Sequence, residues 1–228
     1  SYAMGRFLAL LLSGFCCSGA AAVEHDLPGH SIKNPPDIRA LAARWHAAGT
    51  VMPSNRSLVL TPGVANRVGS LFSLTPLLSN DFEVRFTFSA KSKEPRAFKN
   101  DGFAFWYVPE NATQILAEPV AKHAHNQEEL IAGTWQDGYE NSAGGLRLLG
   151  YKSSFRGLGV FFLGGDEPSI SAEISDGTKE FKLGADLPAP ANLKFNFQDG
   201  EDHTVTVRVF PDRTEVRVLH KGWHASLA

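Results

Sequence analysis

An antiparallel β-sandwich is the fold class this sequence predicts, on three observations. Short apolar or alternating segments recur along most of the chain with turn residues between them, and only one stretch carries a helical period. Phe82-Glu83-Val84-Arg85-Phe86-Thr87-Phe88 places four apolar residues on one face and Glu83, Arg85 and Thr87 on the other, as in a half-buried strand. Two further runs, Phe103-Ala104-Phe105-Trp106-Tyr107-Val108 and Leu158-Gly159-Val160-Phe161-Phe162-Leu163, lack that alternation and need cover on both sides. The first of these runs is expected to be central, with the second beside it.

The 228 residues suffice for one sandwich or two small domains, and no Pro/Gly/Ser-rich linker divides them, so one domain is expected. A net charge of -2 offers no basic footprint for nucleic acid. Sixteen Phe supply a substantial core. Residues 4–22 read as a secretory leader, with Ser1-Tyr2-Ala3 upstream of it: Arg6 is the positive charge, Phe7 to Cys17 the apolar stretch, and Ser18-Gly19-Ala20-Ala21-Ala22 the small-residue cleavage region. Both cysteines, Cys16 and Cys17, fall inside that leader, so the mature chain (23–228) has no disulfide to draw on. Two sequons, Asn55-Arg56-Ser57 and Asn111-Ala112-Thr113, fit a secretory compartment.

In chain order, Asp37 to Ala48 has Ile38, Leu41, Ala42 and Trp45 at helical spacing, while Trp45 to Gly49 also reads as a strand. Ser57 to Leu60 and Gly69 to Leu74 are short strands about the Thr61-Pro62-Gly63 turn. Lys91 to Lys99 is a charged loop that leads to Asn100-Asp101-Gly102, a polar turn at the mouth of the first apolar run. Residues 109–154 form an irregular insertion. Within it, His123 and His125 have no companion at metal-ligand spacing and read as solvated loop residues. Beyond the second run, Ile170 to Ile174, Lys179 to Leu183, Leu193 to Phe197, Thr204 to Phe210 and Thr214 to Leu219 form a meander. Its turns at Asp176-Gly177 and Asp199-Gly200 have the composition of tight hairpins. The last residues, from His220, follow a strand pattern without a closing turn, which suggests that more chain follows Ala228.

Five pieces in order, Trp45-His46-Ala47-Ala48-Gly49, Gly69-Ser70-Leu71-Phe72, Phe82 to Phe88, Asp101-Gly102-Phe103-Ala104-Phe105-Trp106-Tyr107 and Gly157 to Phe162, resemble the L-type, leguminous-lectin-like domains of the ERGIC-53/VIP36 cargo-receptor family. The resemblance runs from about His30 to Leu219. It implies a jelly-roll, concanavalin A-like lectin fold that binds high-mannose glycans of glycoprotein cargo with calcium, in the lumen of the ER, the ER-Golgi intermediate compartment and the Golgi. Any membrane attachment would come through a segment outside this chain.

Carried over by position, the resemblance makes Asp101 the acceptor of mannose hydroxyls, with a cis peptide before it, and adds Gly102 and Ser70 to the sugar pocket. A carboxylate suits that role because it only accepts, and with charge-assisted strength. Departures are clear at the metal. Leu163 and Glu167 stand where the family has Asp and Asn, and Asp166 alone keeps an acidic match, so the calcium site reads as incomplete.

Two other functions remain on this reading. One is a protein-interaction module whose sugar and calcium site has decayed. The other is a jelly-roll glycoside hydrolase, for which strands commonly present acids at alternate positions. Glu173 and Asp176 are not so spaced, and Ser153, Ser154 and the histidines show no triad arrangement, so no enzymatic activity is expected.

Overall fold

The computed structural model describes residues 3–16, 23–32, 38–62, 69–92, 102–110, 148–188, 192–221 and 223–227. Its strands are β1 (Ala3–Cys16), β2 (Val23–Asp26), β3 (Trp45–Gly49), β4 (Met52–Pro53), β5 (Leu58–Thr61), β6 (Gly69–Ser73), β7 (Phe82–Ser92), β8 (Gly102–Tyr107), β9 (Arg156–Leu163), β10 (Ser169–Asp176), β11 (Asn192–Lys194), β12 (His203–Val209), β13 (Thr214–His220) and β14 (Trp223–Leu227). One α-helix, α1 (Ile38–Arg44), precedes β3. The strands form a large sheet in the order β14-β13-β12-β7-β1-β5-β4 with β2 on β1, a smaller sheet β11-β10-β9-β8, and the pair β3-β6.

The alternating segment is β7, and register explains its burial. Phe82, Val84, Phe86 and Phe88 stand opposite Val209, Val207, Val205 and His203 of β12, while Val216 and Val218 of β13 extend the row. All of these are buried, so one face of the large sheet is apolar along its length, with His203 the one polar residue at its end. The facing surface of the small sheet is Phe103, Phe105, Tyr107, Leu158, Val160, Phe162 and Ile170. The two faces interdigitate ring on ring, with Phe88 at 4.7 Å from Phe103 and 5.4 Å from Phe162, and Phe82 at 4.7 Å from Tyr107.

The two unalternating runs are indeed neighbours, β8 and β9, paired from Gly102 opposite Leu163 to Tyr107 opposite Leu158. Their second face is covered by a separate cluster in which Phe161, Leu163, Ala104 and Trp106 meet Leu148, Tyr151, Phe155, Phe181 and Leu187. Gly159 stands opposite Trp106, and a side chain there would meet the indole ring. The expectation that the first run is central needs correcting: among the described residues β8 is the outermost strand of the small sheet and is half-buried, whereas β9 is interior.

Other local readings change too. The ambiguous 37–48 stretch is both things in succession, helix then strand, with Leu41 and Trp45 buried and Ala42 exposed. Lys179 to Leu183 is not a strand. It is a loop joined by a single bridge, Leu183 to Leu187, and its Phe181 seals the second cluster. Neither Asp-Gly turn closes a hairpin. Asp176-Gly177 starts the covering loop, and Asp199-Gly200 carries the chain from the small sheet to the large one, both glycines having positive φ (90° and 81°). The end of the chain does close a hairpin, with His220 opposite Trp223 and Lys221 at φ 46°. The segment read as a leader forms β1, hydrogen-bonded to β7 on one side and to β5 and β2 on the other.

Candidate functional site

The expected sugar site begins where β8 opens. Gly102 is exposed, and its backbone packs so closely on β9 that an added Cβ would run into the Phe162 carbonyl oxygen. Only glycine fits there. Asp101 and the Asn100-Asp101 peptide lie outside the described residues, as do His123, His125, Asn111 and most of the 109–154 insertion.

Across from Gly102, β9 ends at Leu163 and the turn 164–168 leads into β10, with Gly165 at φ 120°. Gly165 N–H donates to Gln198 Oε1 at 3.3 Å, which ties this turn to the segment after β11. Asp166 and Glu167 are exposed. Lys194 Nζ donates to Glu167 Oε2 at 2.7 Å, and that hydrogen bond and charge hold the Glu167 carboxyl below its ordinary range.

Leu163 is only 8% exposed and packs into the second cluster. Its position therefore faces protein and contributes no oxygen to the turn. Calcium takes six to eight oxygens, yet the described part of this turn offers one carboxylate free of Lys194, so the residues do not fit a calcium ion.

Ser70 lies on β6, opposite Ala48, buried at 9% exposure. Its Oγ sits 3.2 Å from where a side chain on Gly150 would begin, and Gly150 has φ 90°. From β6 the link to β8 runs through packed rings: Phe72 to Tyr151 at 6.4 Å and Tyr151 to Trp106 at 4.9 Å. Burial first, and then the neighbouring Glu110 carboxylate, push the Tyr151 hydroxyl far up, so it stays a neutral phenol. Neither this tyrosine nor Glu110 carries a signal in the sequence, because both lie within the irregular 109–154 stretch.

The acids considered for hydrolysis are otherwise engaged or separate. Asp176 Oδ1 accepts from Thr178 N–H at 2.9 Å and from its hydroxyl at 2.6 Å, a local turn closure. Ser153 Oγ donates to Glu180 Oε1 at 3.0 Å. A different set of side chains does converge, at the far end of β12 and β13: Asp199, His203 and His220.

The profile of the legume-like lectin family matches residues 24–221. A VIP36-like protein of Mus musculus is 24% identical over 122 residues, which are 53% of this chain and 34% of that protein. The chain thus spans about a third of the length of the curated relative it matches. Among solved structures, the VIP36 exoplasmic/lumenal domain in its Ca2+/Man3GlcNAc-bound form superposes with a TM-score of 0.64 at 18% identity, covering 90% of this chain and 75% of that one. The legume lectin-like domain from Entamoeba histolytica gives 0.60 at 11% identity over 89% and 81%. The metal-free carbohydrate recognition domain of Emp46p gives 0.53 at 20% identity over 86% and 81%. At these identities the structural likeness is one of fold.

Proposed function

Because this chain belongs to the legume-like lectin family, we propose that it is a luminal carbohydrate-binding domain that takes high-mannose N-glycans of glycoprotein cargo travelling between ER and Golgi. Asp101 accepts mannose hydroxyls, Gly102 lets β8 pack closely on β9 beside that carboxylate, and Ser70 contributes from the β6 side. One observation carries this reading: the tip of β8, where an exposed glycine that cannot bear a side chain directly follows the carboxylate. The neighbour solved with Man3GlcNAc supports the ligand class.

Calcium in this chain would have to bind without the side-chain oxygen that Leu163 replaces and beside a Glu167 engaged by Lys194. The test is a glycan array run with calcium and with EDTA, alongside Asp101→Ala. High-mannose signal in both conditions, lost in the variant, is the expected result.

Silence in both conditions would leave a second reading, which the burial of Leu163 favours. In that reading the sandwich is a protein-interaction module on a lost sugar site. Its family is one of lectins, and the strand acids Glu173 and Asp176 are not at the alternate spacing of a hydrolase pair.

We also place residues 1–22 as a leader removed on entry to the lumen. Mass measurement of the amino-terminal peptide of the secreted chain checks this. A peptide beginning at Met4 or before would overturn it.

A further inference from the structure

We propose that Asp199, His203 and His220 form a binding site for a transition cation of the zinc class, at a place separate from the turn after β9 and independent of any sugar binding. His203 begins β12 and His220 ends β13. The antiparallel register that sets Thr204 opposite Leu219 brings the two imidazoles out at the same end of the sheet. Their ring centroids are 4.4 Å apart, inclined by 32°. Asp199 reaches them from the crossing between the two sheets.

Both Nε2 atoms turn toward that one carboxylate, His203 at 2.9 Å from Oδ1 and His220 at 3.8 Å from Oδ2, and the donor atoms all lie within 4.8 Å of one another. The 3.8 Å separation is too long for a hydrogen bond. Donors held about 2.0–2.1 Å from a tetrahedral zinc ion lie about 3.3 Å from each other, a value that the two separations bracket. A small movement of the Asp199 carboxylate equalises them.

The chemistry of the set selects the ion. Two imidazoles and a carboxylate suit zinc, copper or nickel, whereas calcium and magnesium want oxygen throughout. Access and rigidity are divided among the three residues. His203 is fully buried, with its ring set against Phe195 at 5.1 Å and Phe88 at 5.6 Å, so its direction is fixed. The side chains of Asp199 and His220 keep 32% and 18% exposure, which leaves a way in and a fourth position for water. Glu201, next in the turn, is engaged by Lys221 Nζ at 3.6 Å.

Affinity is limited by what lies behind the rings. Both Nδ1 atoms are buried without a hydrogen-bond partner among the described residues, and ligating histidines normally have one there. Loss of such support typically weakens metal binding about 10–100-fold, so a micromolar dissociation constant is expected rather than a nanomolar one.

The experiment is calorimetric titration of the full chain with zinc chloride in chelator-free buffer, repeated on Asp199→Asn and His220→Asn. One ion per chain, bound at least about tenfold more weakly in each variant, is expected. No binding by the wild type, or unchanged binding in both variants, overturns the proposal. X-ray absorption on the zinc-loaded wild type keeps the test decisive even if a variant fails to fold. A shell with two imidazoles and oxygen supports the site, and one imidazole or none rejects it.

Discussion

Two turns at the edge of the small sheet, linked by Gly165 and Gln198, differ in what they can hold. The turn at 164–168 carries its acids in sequence, exposed, with Glu167 engaged by Lys194 and Leu163 turned into the core. The crossing at 198–202, joined to the first turn through Gln198, meets two histidines delivered by two separate strands. A row of acids in a loop presents oxygens to water one at a time. Register between strands brings donors to a common point without the loop having to fold around the ion. If zinc binds as proposed, cation binding in this chain lies at a place with no sequence motif, set by strand register and not by a run of acids.

The strongest way to break this comparison is to remove what both turns rest on. Phe162 stacks on Phe103 at 4.3 Å and contacts Phe88, which in turn touches His203. Phe162→Ala should cost about 3–5 kcal/mol in urea unfolding and weaken both glycan binding at the β8 tip and zinc binding at the 198–202 crossing. Loss at only one would show that they are held separately.

Leu163→Asp sharpens the contrast directly. If its position faces the core, the new carboxylate is buried, stability falls by on the order of 3 kcal/mol, and calorimetry shows no gain in calcium affinity. A calcium site appearing in this variant would mean the turn was only one oxygen short.

Gly102→Ala should cost about 2 kcal/mol through the collision with the Phe162 carbonyl and weaken any glycan signal, with zinc affinity unchanged.

A control removed from both turns is His30, whose Nδ1 lies 3.2 Å from Ser73 Oγ. Burial holds its pKa below the ordinary value, so as pH falls through roughly 6.5 the unfolded chain takes up a proton that the folded chain does not. Its contribution to stability is present above that value and declines on acidification. His30→Gln should flatten the fall in melting temperature between pH 7.5 and 5.5 without altering zinc affinity. An unchanged slope would locate the pH response elsewhere.

The sandwich was legible because periodicity reports burial. Phe82 to Phe88 announced one buried face, and the β8 and β9 runs announced two. The turns were less legible. Asp-Gly permits positive φ, and both Gly177 and Gly200 use it, but φ alone does not say whether the next strand returns beside the last or crosses to another sheet. The Lys179 to Leu183 segment misled for a related reason, since a loop that caps a core needs the same apolar anchors, here Phe181 and Leu183, as a strand does.

At the candidate site, Ser70 and Asp166 were reached only through the resemblance, whereas Gly102 showed as a turn residue and Leu163 as the end of a run needing cover on both faces. His203 and His220 could not be paired from sequence, because their meeting depends on the register of β12 with β13. The apolar stretch after Arg6 shows the same limit from the other side. A translocation leader and an interior strand make identical demands on composition, and nothing local distinguishes them.

That last stretch has a mechanical consequence. Strand β1 runs between β7 and β5, so it is the seam that joins the outer strands of the large sheet into one surface. Excision of the leader would open a furrow about 10 Å across, two strand spacings wide, bordered on each bank by unmet amides and carbonyls.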